Sequence, residues 1–223
     1  MIVISFSQRY LSLAKRRFPD DRDGSTALHL ASRKGHADLT RILVERGANV
    51  SIHNKNGKTA LHFASLNGHV ELARMLVEHG ADVSARDMDE WTALHFASDN
   101  GHVDLARILI ECGADLSAQD TDGSTALHFA SGEGHADLTR ILVECGADVS
   151  AHDKDMATAL HYASWNGHVD LARILVESGA DVSAKIEDGR TALDLASENG
   201  HGGLAQILQE LSTDTAPQQS HRS

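Results

Sequence analysis

The chain has 223 residues and a formal net charge of −12, and its first 20 residues carry +3, which leaves −15 on the remainder. So acidic a surface argues against nucleic acid or an anionic membrane as the main partner, and fits a protein partner, a basic one in particular. No apolar run approaches the roughly 20 residues that a membrane-crossing helix needs.

Met1 to Pro19 lies outside the pattern that fills the rest of the chain. Ser7 is placed to cap a helix running to Phe18, with Leu11, Ala14 and Phe18 on one stripe, basic residues in the last turn and Pro19 as a stop. The first reading of this segment is a cap over the apolar face that follows. The second is a targeting segment, since it is acid-free until Asp20 and carries four basic residues and three serines. A secretory signal fits poorly, because the charges follow the apolar run from Ile2 to Phe6 instead of preceding it.

From Asp20 onward one stretch recurs at a fixed period. Its T-A-L-H segment begins at Thr26, Thr59, Thr92, Thr125, Thr158 and Thr191, 33 residues apart, with no insertion or deletion. A period of this size signals a stacked array, in which repeats are counted instead of globular domains. The copies run over 20–52, 53–85, 86–118, 119–151, 152–184 and 185–211.

The fourth copy shows how one unit folds. Thr125 sits where an N-cap hydroxyl takes an orphan amide, and His128 stands in the place of the reciprocal capping-box partner. Leu127 and Ala130 then form the stripe of a short helix ending at Gly134. A second helix carries Leu138, Ile141 and Leu142 on one face and stops at Gly146; Asp137 in its first turn pairs with Arg140. The remaining G-A-D-V-S-A and D-x-D-G run is turn-rich and too short for a third helix. Leucine recurs in every copy at Leu28, Leu61, Leu94, Leu127, Leu160 and Leu193, and again at Leu43, Leu76, Leu109, Leu142, Leu175 and Leu208. These are read as core, each worth about 2–5 kcal/mol on truncation to alanine.

The sixth copy departs from the others. Asp194 replaces the histidine, Gln209 the valine and Ser212 the terminal glycine, while Gly202 and Gly203 weaken the start of its second helix. A polar outer face suits the end of a stack, so this copy reads as a cap, followed by a disordered tail over 212–223.

Two helices and a β-turn finger at a period of 33, with T-A-L-H-x-A and G-A-D-V-S-A, resemble the ankyrin repeat. The likeness spans about Asp20 to Leu211. It departs at one point: the family's proline in T-P-L-H is alanine in all six copies, from Ala27 to Ala192, a good helix former in that place. The resemblance implies an all-α solenoid that binds another protein, as a scaffold or adaptor does, without cofactor or catalysis. It further implies that binding uses the finger tips and the exposed end of each first helix, which together line the concave side.

Fifteen histidines invite a metal reading, but eleven occupy two repeat positions, the T-A-L-H and the G-H histidine. Equivalent residues in stacked helices stand about 8–10 Å apart, too far to share a zinc ion bound at about 2 Å. No H-E-x-x-H, G-x-S-x-G or phosphate-binding loop occurs. An enzyme, or an enzyme-associated subunit acting through the non-repeat ends, is therefore the second reading, with no cofactor implied.

Positions that differ between copies must carry specificity. At the finger tips and first-helix ends the candidates are Lys55, Lys58, Leu66 and Asn67 in the second copy, and Met88, Trp91, Asp99 and Asn100 in the third. Trp165 and Asn166 follow in the fifth. Trp91 reads as the principal anchor on the concave face of copies two to five, with Met88 and Trp165 flanking it, because tryptophan left in water is costly and enriched at hot spots. The expected protein is a monomer in the cytoplasm or nucleus. Cys112 and Cys145 lie one period apart, beyond the reach of about 7 Å that a disulfide requires. Both should react with a thiol reagent without prior reduction; an intramolecular bridge found by mass spectrometry would overturn the reducing-compartment assignment.

Overall fold

The computed structural model describes residues 23–214. The expected N-terminal cap or targeting helix over 1–19 lies outside the described residues. Among the described residues twelve helices form six pairs: α1 (Ala27–Arg33) with α2 (Ala37–Glu45), α3 (Ala60–Leu66) with α4 (Val70–Glu78), and α5 (Ala93–Asp99) with α6 (Val103–Glu111). Then come α7 (Ala126–Gly132) with α8 (Ala136–Glu144), α9 (Ala159–Trp165) with α10 (Val169–Glu177), and α11 (Ala192–Glu198) with α12 (Gly202–Asp214). Isolated bridges join His152 to Thr158 and Lys185 to Thr191, and the described residues form no sheet. This is the all-α repeat solenoid expected.

Two compact units divide the chain, Met1–Asp115 and Leu116–Ser223. In the first, α1, α3 and α5 each pack on their own second helix, α1 also on α3 and α3 on α5, while α2, α4 and α6 follow one another. The second unit repeats the scheme with α7 to α12.

The local code works as read. Every first helix begins at its threonine with a capping box, and Thr26, Thr59, Thr92, Thr125 and Thr158 use the histidine three residues on. The second helices end in the Schellman pattern: in α8, Gly146 N–H donates to Val143 O and Ala147 N–H to Leu142 O, both at 2.9 Å. Because Ser212 replaces that glycine in the sixth copy, α12 does not stop there and runs to Asp214, into the stretch expected as tail; 215–223 lie outside the described residues.

Two expectations change. Leu193 is half-buried whereas Leu61, Leu94, Leu127 and Leu160 are sealed, because the described residues include no further copy to cover that face. Asp137 and Arg140 are both exposed and form no ion pair. In open solvent the entropy of holding two long side chains together offsets the attraction.

The histidines do more than cap. In the second copy Thr59 N–H donates to His62 Nδ1 at 2.9 Å, so Nδ1 is an acceptor and the proton resides on Nε2. That Nε2–H donates forward to Ala85 O at 3.0 Å, at the end of the same copy, and to Trp91 O at 3.1 Å, in the third copy. His29 reaches Ile52 O, His128 reaches Ala157 O and His161 reaches Ala184 O in the same way. The G-H histidines tie backward: His102 Nε2 lies 3.2 Å from Leu66 O, and His168 Nε2 lies 3.0 Å from Gly132 O.

This backward tie explains one glycine. Gly68 has φ +69°, and a Cβ there would stand 2.7 Å from the His102 ring. Gly80 has φ +85° with nothing within 4 Å of the same construction. Gly80→Ala therefore incurs backbone strain alone, about 1 kcal/mol, whereas Gly68→Ala adds a clash and should cost about 3 kcal/mol. Equal losses in denaturant melts would refute the steric role.

Acid should unfold the protein earlier than its carboxylates alone would. Burial holds the His62 imidazole down to about 4, and lowers His29, His128 and His161 in the same direction. The unfolded chain takes up these protons near pH 6.5 while the folded chain refuses them, so stability is complete above pH 6.5 and falls as pH drops towards 4. For His62 alone the loss is on the order of 3 kcal/mol. Melting temperatures recorded from pH 7 to 4 should fall across that window; a flat profile down to pH 4.5 would contradict it.

Candidate functional site

Each finger is a tight turn organised by the side chain that opens it. In the third copy Asp87 Oδ1 accepts from Asp89 N–H at 3.0 Å and Trp91 N–H at 2.9 Å, and Asp87 N–H donates to Trp91 O at 3.0 Å. Asp120, Asp153 and Asn54 do the same in their copies. Within each unit one backbone bond links consecutive fingers: Lys55 N–H to Asp23 O, Met88 N–H to Asn56 O, Lys154 N–H to Asp122 O and Glu187 N–H to Asp155 O.

Asp87 and Asp153 are buried, and a buried carboxylate is costly unless paired. Each copy solves this differently. Lys58 Nζ stands 3.2 Å from Asp87 Oδ2 and 4.2 Å above the centre of the Phe96 ring. Tyr162 OH donates to Asp153 Oδ2 at 2.7 Å; burial, with that carboxylate, pushes the phenol up to about 12. Asn54 removes the charge altogether and donates to Asp23 Oδ2 and Ser25 Oγ.

These arrangements sort the expected site residues. Lys58 is committed to Asp87. Trp91, expected as an anchor standing in water, is half-buried: its ring lies on Phe96 with centroids 4.8 Å apart and beside His95 at 6.1 Å. It packs there because the Phe96 ring offers an apolar shelf next to the turn. Asn67, Asn100 and Asn166 hold helix ends, their Nδ2 groups donating to Phe63 O, Phe96 O, and Gly132 O with Tyr162 O. Leu66 and Asp99 are half-buried and Lys55 is exposed.

Large apolar side chains also remain in water. Met88 on the tip of the third finger is 70% exposed, and Trp165 at the end of α9 is 50% exposed. A third such residue, Met156 at 45%, escaped the sequence reading. Met156 has φ +63° and Glu90 has φ +62°, at a finger position that Gly24, Gly57, Gly123 and Gly189 fill elsewhere. Loss of that glycine was the signal, since a left-handed non-glycine residue costs about 1–2 kcal/mol.

Among the described residues no group of three or more His, Cys, Asp or Glu side chains is placed to hold a metal ion, and no helix is long and apolar enough to cross a membrane. Cys112 and Cys145 are free and exposed. A family model described as ankyrin repeats (three copies) matches residues 7–87, 52–120, 94–186 and 151–218. A search of curated proteins gave no match.

Lys58→Ala should strand the Asp87 carboxylate and cost about 2 kcal/mol. Adding Asp87→Asn, which copies the arrangement at Asn54, should recover most of that loss. If Asp87→Asn fails to rescue Lys58→Ala in denaturant melts, the pair is not what holds the third finger.

Proposed function

This chain belongs to the ankyrin-repeat family, and from that membership we propose that it is a non-catalytic protein-binding module, acting as a scaffold or adaptor. Ankyrin repeats generally mediate protein–protein interactions. The observation that carries the finer reading is the contrast between invariant, sealed core leucines and the varying apolar side chains left in water. In the first unit Met88 takes the role of principal anchor, with Lys55 and Leu66 from the second copy in support and Trp91 shaping the finger beneath it. In the second unit Trp165 and Met156 are the anchors.

The partner surface carries apolar residues and, given the net charge of −12, a basic surround. A monomer in the cytoplasm or nucleus fits two free, exposed thiols.

Affinity purification with the full chain as bait, read by mass spectrometry, tests this. Met88→Asp and Trp165→Asp should each weaken retention of a specific protein by about 30-fold, the size of a hot-spot loss. Their melting temperatures should stay within about 2 °C of wild type, since neither side chain is in the core. If both variants retain the same proteins at the same strength, the surface assignment fails.

A further inference from the structure

The first described copy has an apolar face that the later copies keep buried. Ile42 is 36% exposed, whereas its equivalents Met75, Ile108 and Ile174 are buried. Ala27 and Leu39 are part-exposed, yet Ala60 and Ala93, and Leu72 and Leu105, are sealed. The face looks back along the chain. The sixth copy keeps Ala192 and Leu204 buried and loses cover at Leu193, which is the opposite side.

We propose that residues 7–18 of this same chain dock on that face as an amphipathic helix. Three observations point to this occupant. Ser7, the stripe Leu11–Ala14–Phe18 and the stop at Pro19 describe a helix of 12 residues, enough to cover the nine of α2. Only four residues separate Phe18 from the first described residue, Asp23, so the tether holds the segment close to α1 and α2 at high effective concentration. The match to the repeat family begins at residue 7, upstream of the first complete copy. The docked helix turns Leu11 and Phe18 onto Leu39 and Ile42. Arg9 and Arg16 fall on the side of that helix away from the stripe, so the cap presents a basic outer side. The two readings of the segment thus merge: it is a cap whose outer side is basic.

A double-mutant cycle in the full chain tests the contact. Leu11→Asp and Ile42→Asp should each lower the melting temperature by about 4 °C and raise hydrogen exchange across residues 27–45, and the double variant should lose little more than either single one. Ser12→Asp, with the same charge change off the stripe, should do neither. Additive losses, or a Leu11→Asp variant indistinguishable from Ser12→Asp, would overturn the proposal. So would a concentration-dependent dimer that Ile42→Asp dissolves, because a second copy would then be the occupant.

Discussion

The structure depends on an imidazole used at both ends. In five copies the Nδ1 of the T-A-L-H histidine accepts from the threonine amide, which fixes the tautomer; in four of these the Nε2–H is seen donating to a carbonyl of the following finger. One side chain thereby starts a helix and positions the next turn. Protonation would place a hydrogen on Nδ1 where a donor already points, so burial and geometry both require the neutral ring. The exception supports the rule. Asp194 accepts from Thr191 N–H and hydroxyl at 2.8 Å, which suffices to start the helix in the last described copy.

These ties explain why the period never varies. The G-H histidine reaches 36 residues back to the preceding first helix, and its ring fills the space against a glycine with positive φ. The forward tie spans 23 or 29 residues. An inserted residue would break both at once and leave buried polar groups unpaired, each costing about 1–3 kcal/mol.

Variation at the fingers has two sources. Part of it is compensation: Lys58 goes with Asp87, Tyr162 with Asp153, and Asn54 with Asp23 and Ser25. Each set solves the burial of a polar turn former, so its residues differ between copies without any partner being involved. Met88, Met156 and Trp165 answer no such need. Glu90 and Met156 even incur backbone strain at a glycine position, a cost that a purely structural finger avoids.

The helix pairs, their caps and the core leucines were legible in the chain because they depend on neighbours three or four residues away and recur six times. Comparing copies separates such positions from the rest without coordinates. The role of a variable residue was not legible, because it is set by groups distant along the chain or on a neighbouring turn. Nothing near Lys58 announces that Asp87 will be buried 29 residues later, and nothing near Trp91 says that Phe96 offers a shelf for its ring. Asp137 and Arg140 have the right spacing for an ion pair and still stay apart, since solvent screens the attraction that spacing alone suggests. Leu193 matches its five counterparts letter for letter and differs in burial because a side chain's cover comes from the next layer of the stack. Local hydrogen bonding is written in short-range pattern; exposure depends on what packs alongside.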